Sequence, residues 1–392
     1  MKMKYFISAT AASLLMSTSA FALDANAVAE RIKSLYSKQG AEISYTAAEG
    51  DASAVQLRGV KVAMTALPDE TFEVGDVTLK NVEETKDGGY RIGELIIPDM
   101  SADLQDEGKK TGKLVIEGVS STGFTVPAEN AKSALDKMSF YDTAHIKKLE
   151  IIGEDDVSLL MEGIEATFSN KDGKKIDYSW NVGRIHMNLE NIEKDSSMPD
   201  FGMNELNATI ASNGTWLPET GVATLDKFDA DIKDLGKLSL TSEIGGYDLA
   251  FVEAVQKTQE TMLEAGTDDA ASGLALLGLA EQLTIKDLTI RFEDQSLTNK
   301  LFDFYAQQQG TEPQMLREQA KMLVPLMAMQ LNNPEFAESV KVAAEKYFDD
   351  PKSFTLKASP DKAVSIASLV ATATIDPTKI IQLLKVSISA ND

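Results

Sequence analysis

The fold is decided by a short motif that reads Val74-Gly-Asp-Val-Thr-Leu79 and, about 18 residues later, Ile92-Gly-Glu-Leu-Ile-Ile97. An apolar residue precedes a glycine or polar residue, and apolar positions then alternate with others. Such alternation directs one set of side chains to each side of an extended chain. Each copy of the motif therefore predicts a β-strand with one apolar and one charged face.

The motif recurs along the first two thirds of the chain. Many copies start 15 to 21 residues apart, a spacing that fits one strand out, a turn and one strand back. Asp87-Gly88-Gly89 and Asp172-Gly173 supply residues typical of hairpin turns. This periodicity predicts a long antiparallel meander. Further copies begin at Leu57, Thr111, Ile146, Met161, Val182, Met203, Leu235 and Ile285.

A sheet with one apolar face needs something to cover that face. The strands leave three solutions open: the sheet curls on itself, packs on helices, or holds an apolar ligand. Helical spacing takes over from Tyr247, with helices predicted over 249–264, 296–309, 313–331 and 334–348. We therefore predict an α+β fold. Its body is an elongated, curled antiparallel β-meander, with packed helices concentrated in the C-terminal third.

The N-terminus has the three parts of a secretory signal peptide. Lys2 and Lys4 precede an apolar stretch that ends near Met16, and Ala20-Phe-Ala22 is a small-residue cleavage site. Residues 1–22 are therefore the predicted signal, 23–246 a helix followed by the meander, and 247–392 a helix-rich region continuous with the sheet. Export predicts a periplasmic protein, with an extracellular location as the alternative.

Cleavage is expected after Ala22, because the small side chains of Ala20 and Ala22 suit signal peptidase. N-terminal sequencing of the exported protein should then begin at Leu23, with Leu-Asp-Ala-Asn. An exported protein that retains Met1 would contradict this prediction.

Composition excludes several classes of function. The 392-residue chain has a formal charge of -23, which argues against nucleic acid as a partner because phosphate binding needs clustered lysine and arginine. It has no cysteine, so disulfides and thiolate metal sites are excluded. After the signal no run of 18 apolar residues occurs, so no transmembrane segment is predicted in the mature chain.

Candidate catalytic and metal-binding residues are few. The two histidines, His145 and His186, lie in different hairpins and do not make a zinc site, which needs three or four ligands. Asp229 and Asp231 share one side of a strand, where they either attract a hard cation or form an ordinary solvated face. We predict no catalytic residues, no metal and no cofactor.

A methionine-rich apolar stripe lies in the predicted helix 313–331. Methionine packs adaptably and suits both irregular cores and apolar binding surfaces. The stripe therefore indicates either core packing or a groove for an acyl chain. The groove hypothesis names Met315, Met322, Leu323, Leu326 and Met327.

The repeated amphipathic strands resemble the curled β-sheet bodies of the AsmA and YdgA-like periplasmic families. Two stretches, Leu288-Thr-Ile-Arg-Phe-Glu-Asp-Gln-Ser-Leu297 and Asp350-Pro-Lys-Ser-Phe-Thr-Leu-Lys-Ala-Ser-Pro360, are similar to the C-terminal region of uncharacterised secreted proteins of Gram-negative bacteria. The resemblance covers residues 40 to 390 and implies an envelope protein with a curled sheet. It carries over no catalytic residues. The chain departs from AsmA in having a cleavable signal where AsmA has a membrane anchor.

Three functions follow as hypotheses. The first is a non-enzymatic envelope-associated protein of the periplasm that binds a lipid or other apolar ligand in a groove between sheet and helices, or binds an envelope protein partner. The second is a secreted or surface interaction protein without a ligand cavity. The third is a hydrolase with acid catalysis. An apolar cavity favours the first, a large exposed apolar patch the second, and a buried carboxylate pair the third.

Overall fold

The computed structural model describes residues 23–37, 40–64, 67–106, 109–153, 158–171, 173–189, 202–265, 275 and 277–392. The predicted signal peptide, with Ala20 and Ala22, lies outside these residues. Leu23, the predicted first residue of the mature chain, is partly buried against the N-terminal core.

The described strands form one antiparallel sheet, which confirms the predicted fold class. From β7 to β14 every strand pairs with its neighbour in the chain, so this part is a simple meander. The strands are β1 (Ala41–Ser44), β2 (Ala47–Gly50), β3 (Ala54–Met64), β4 (Leu67–Glu84), β5 (Tyr90–Ile97), β6 (Met100–Asp106), β7 (Lys109–Val126), β8 (Thr143–Gly153), β9 (Ser158–Lys171), β10 (Lys175–Asn188), β11 (Glu205–Leu217), β12 (Val222–Ile232), β13 (Gly236–Gly245), β14 (Thr284–Asp294), β15 (Ser353–Ala358), β16 (Val364–Ser365) and β17 (Val386–Ala390).

The helices lie mostly after the meander, as predicted. They are α1 (Ala25–Ser37), α2 (Leu249–Ala265), α3 (Leu297–Gln309), α4 (Pro313–Met329), α5 (Pro334–Asp349), α6 (Ile366–Ile375) and a short helical segment, Ile380–Leu383. The predicted ends of α2, α3 and α5 are within two residues of those observed. The apolar run from Ile366 to Ala373, which is too short for its sequence to predict an element, is part of α6. The sequence also predicts a helix over 270–282; residues 270–274 and 276 lie outside the described part of the chain, and residues 277–280 are helical.

Glycines with a positive φ kink several of the strands. Gly75 has φ 93°, and Val74 and Val77 on either side of it are both buried in the same core cluster. Gly118 has φ 65° and lies opposite Lys147, whose Cβ is 2.7 Å from where a Cβ on Gly118 would stand. A residue with a side chain is strained in this conformation. The kinks bend the strands while they keep the apolar residues on one side.

The register tests the sidedness predicted for strands 74–80, 92–97 and 111–117. Leu79 lies opposite Leu95, and Thr78 opposite Ile96, as a shared face requires. Leu114 and Ile116 lie opposite Ala102 and Met100, because β6 extends the line of β5 beyond Pro98.

The covered side differs from the prediction in its extent. Val77 and Leu79 are buried at 7% and 0% exposure, whereas Leu114 and Ile116 are only partly buried. The core under the sheet is therefore concentrated at the N-terminal end.

Candidate functional site

One apolar residue from each of many strands forms an unbroken row across the sheet. Each member lies directly opposite the next, so all point to the same face. We call this set the apolar row and the side that bears it the apolar face. The row consists of Ile97, Val119, Ile146, Ile164, Val182, Ile210, Ala230, Leu238, Phe292, Phe354 and Ala390.

A second row on the same face is made of small residues at its centre. Ser121, Ala144 and Ala166 follow one another on β7, β8 and β9, and Trp180 stands next on β10. Trp180 is flanked by Ala166 and Ser212, so its indole rises above both neighbours. The Phe228 ring lies 6.4 Å from the Trp180 ring, on the far side of Ser212. The small residues leave room beside this aromatic pair.

At the N-terminal end α1 covers the apolar face. Val28, Ala29 and Ile32 of the helix are buried against Leu79 and Ile92 of the sheet. Apolar residues recur at helical spacing along α1, so one side of this short helix can seal the strands below it.

Along one edge of the face a loop and α2 provide the cover. Ala134 in the loop and Val252 of α2 are buried with Ile176 and Trp216 of the sheet. The Trp216 Nε1–H donates to the Tyr247 carbonyl oxygen at 2.6 Å, which satisfies the indole as it becomes buried.

At the C-terminal end α5 closes the face. Ala343 and Tyr347 are buried with Ala390, and the Tyr347 ring stands perpendicular to Phe354 at 5.4 Å. The Tyr347 hydroxyl donates to Asp294 at 3.0 Å. Burial raises the pKa of Tyr347 far above its usual value.

The middle of the apolar face has less cover than its ends. Of the apolar row only Val182 and Ala390 are buried, and Leu238 is 40% exposed. The other members are partly exposed, and Trp180 is 37% exposed. Large apolar side chains left in water on a contiguous surface are typical of a binding site. Among the described residues, the middle of the face from β7 to β13 is only partly covered, with Val182 the one buried member of its row, and this middle is the candidate site.

The opposite face of the sheet is polar and charged. Cross-strand ion pairs run along it, among them Arg184–Glu162 at 2.9 Å and Lys148–Glu117 at 3.0 Å. Lys148 also contacts Glu150, and the two carboxylates raise the pKa of its ammonium group. The polar face of the sheet is therefore suited to water, and the apolar face is suited to an apolar partner.

The carboxylates and histidines singled out from the sequence lie on this polar face. Asp229 contacts Lys237 at 2.9 Å and Lys227 at 3.2 Å and accepts from Ser239, contacts that lower its pKa against the opposing effect of burial. Two lysines already neutralise it, so the pair with Asp231 is an ordinary salt-bridged strand face. His186 Nδ1 lies 3.1 Å from Asn207 Oδ1. Within the described ranges, no group of three histidine or acidic residues has a metal-binding arrangement.

The methionine stripe lies on the outside of α4. Met315, Met322, Leu323, Leu326 and Met327 are each more than half exposed, with 53% to 67% of their surface in water. The core interpretation of the stripe is therefore wrong. These residues form a protruding helix face and are separate from the uncovered sheet face.

The comparisons with known proteins give no activity. A sequence-family profile described as "Uncharacterized protein" matches residues 229–391, which extend from β12 to β17 and include α2 to α5. No curated protein matches the chain. No helix in the described part of the chain has both the length and the apolar character needed to cross a bilayer.

Sequence reasoning anticipated the apolar face but missed its centre. Part of the apolar row can be read from the motif copies, which contain Ile146, Ile164, Val182 and Leu238. Trp180 and Leu238 follow the same alternation, so the signal was present. The alternation does not indicate where the helices that cover the two ends of the face lie.

Proposed function

We propose that this protein is a non-enzymatic, envelope-associated protein of the periplasm that binds the acyl part of a lipid on the uncovered apolar face. The observation that carries the proposal is the exposure of Trp180 and Leu238 in the middle of a face that is otherwise apolar. When hydrocarbon covers these side chains, apolar surface is removed from water. Each Å² removed contributes about 25 cal/mol to the binding free energy.

The dimensions of the face suit an extended chain. From β7 to β13 it crosses seven strands, which at about 4.8 Å between strands amounts to roughly 29 Å. A lipid chain covers about half of the ~30 Å hydrocarbon core of a bilayer. The face therefore has the length for two acyl chains end to end.

The chemistry of the face favours an apolar ligand over a polar one. Cross-strand neighbours of Trp180 are Ala166 and Ser212, and neighbours of Leu238 are Ala230 and Phe292. The charged groups of these strands lie on the other face, in ion pairs with one another. A polar substrate would lose its hydration on the apolar face without gaining hydrogen bonds.

Binding can be tested with the two tryptophans of the chain, because one lies in the site and the other in a core. A Trp216→Phe variant keeps Trp180 as its sole reporter. We expect a lysophosphatidylcholine with a brominated acyl chain, below its critical micelle concentration, to quench most of the Trp180 fluorescence. The matched Trp180→Phe variant should stay bright, because Trp216 is 7% exposed beneath α2 and its loop.

A charged residue placed in the path of the chain should weaken the quenching. Leu238→Glu is suitable because Leu238 is 40% exposed, so the variant can fold. The control is Thr289→Glu, on the polar face opposite Lys357. Equal quenching of both tryptophans, no quenching of Trp180, or equal effects of the two glutamates would contradict the proposal.

The alternative function is that of an interaction protein without a ligand cavity. The exposed face of α4 is the observation that supports it. Hydrolysis by acid catalysis has less support. The pKa of the half-buried Asp229 is lowered, whereas a general acid needs a carboxyl group with a raised pKa.

A further inference from the structure

The outward face of α4 is a second exposed apolar surface, and it belongs to a single helix and not to the sheet. Its side chains have no partner among the described residues that would bury them, with exposures from 53% to 67%. They occupy neighbouring turns of one helix. The set, which we call the α4 patch, is Met315, Met322, Leu323, Leu326, Met327 and Met329.

The patch is held facing outward by the other side of the helix. Ala328 is buried against Ala337 and Val340 of α5. Arg317 stacks on the Phe302 ring, 5.0 Å from its centroid, and donates to the Phe348 carbonyl oxygen at 2.8 Å. Lys321 contacts Glu318 and Asp349. These contacts fix the rotation of α4, so the exposed face is a stable feature of the fold.

The α4 patch is uncharged in a strongly charged protein. Residues 322–333 contain no aspartate, glutamate, lysine or arginine, although 25% of the chain is charged. The ion-pairing residues of the helix lie before this segment. Two copies of such a surface meet without bringing like charges together, despite the net charge of -23.

The area of the patch is that of a protein interface. The six residues together expose on the order of 700 Å², as their exposed fractions imply, close to the ~800 Å² that each partner contributes to a standard interface. Isolated apolar patches on monomers are typically about 300 to 600 Å². A two-fold pairing of the patch with itself reaches the required total without another surface.

We propose that the α4 patch is a self-association surface, and that two copies of this chain pair through it about a two-fold axis near Leu326. A lipid bilayer fits the α4 patch less well than a second copy of the chain does. Helices that lie in membrane interfaces carry lysine or arginine along the polar face and aromatic anchors on the apolar one. The basic residues of α4, Arg317 and Lys321, are already bound to the Phe348 carbonyl oxygen and to Asp349, and the patch has no aromatic residue.

Sedimentation velocity of the full mature chain tests the pairing. We expect the native protein to sediment with twice the monomer mass at micromolar concentration, and Leu326→Glu to sediment as a monomer. Leu326 is 57% exposed, so the substitution leaves the core intact. The matched control is Ile375→Glu on α6, a residue 84% exposed outside the patch, which should remain dimeric.

Methionine oxidation gives a second readout. Met322 and Met327 should react slowly with hydrogen peroxide in the native protein and several-fold faster in Leu326→Glu, as followed by mass spectrometry of peptides. A native protein that is monomeric, a Leu326→Glu variant that still pairs, or flotation of the native monomer with phosphatidylcholine–phosphatidylglycerol vesicles would overturn the proposal. Trp180 quenching reports the sheet face alone, so either proposal can fail without the other.

Discussion

Replacing Leu79 by alanine is expected to lower the free energy of unfolding by about 3 to 5 kcal/mol. Leu79 is 0% exposed, lies opposite Leu95 in the sheet and belongs to the cluster beneath α1. The change removes buried methyl groups and leaves a cavity that strands on either side and a helix above cannot close. Urea unfolding followed by far-ultraviolet circular dichroism measures the loss.

Two neighbours serve as controls for Leu79. Thr78→Ala, on the polar face of the same strand, should cost less than about 0.5 kcal/mol. Leu114→Ala lies on the apolar face but only partly buried, so its cost should fall clearly below that of Leu79. The sequence motif alone predicts a cost of about 2 to 5 kcal/mol at both Leu95 and Leu114. A loss at Leu114 as large as at Leu79 would mean that the middle of the sheet is fully covered, which would contradict the candidate site.

Replacing Asn391 by alanine is expected to cost about 2 to 4 kcal/mol, since each hydrogen bond contributes about 1 kcal/mol. Its Oδ1 accepts from the backbone N–H groups of Lys352 and Ser353 at 3.2 and 3.1 Å. Its Nδ2 donates to the carbonyl oxygens of Lys346 and Asp350 at 2.8 Å each. One side chain thus joins the end of β17 to the end of α5 and the start of β15. Thermal unfolding measures the effect.

Backbone conformation contributes separately at Asn391, which has φ 58°. Asn391→Gly loses the same hydrogen bonds but adopts a positive φ readily, so it should cost about 1 kcal/mol less than the alanine variant. Asn332→Ala, at an exposed residue with φ 50°, should show the backbone cost of about 1 kcal/mol. If Asn391→Ala is no worse than Asn332→Ala, the four hydrogen bonds contribute nothing to stability.

Most of the fold could be predicted because its signals are local. Alternation assigned the strands, and helical spacing with Gly310 and Pro334 assigned the ends of α3 and α5. Gly75 also has a local meaning, since it permits the positive φ that keeps Val74 and Val77 on one side. The register could not be read in this way. Each motif copy looks alike, and only the path through Pro98 into β6 places Leu114 opposite Ala102.

The one-faced antiparallel sheet, the acidic surface and the later helices could all be predicted from the sequence, because periodicity and charge are properties of short segments. Which parts of the apolar face are covered depends on the tertiary packing. That packing joins residues far apart in the chain, such as Ile32 and Leu79, which are buried in one cluster, and Tyr347 and Phe354, whose rings pack together. The methionines of α4 show the same limit: their spacing is identical in a core and on a surface, and packing of Ala328 against α5 turned them outward.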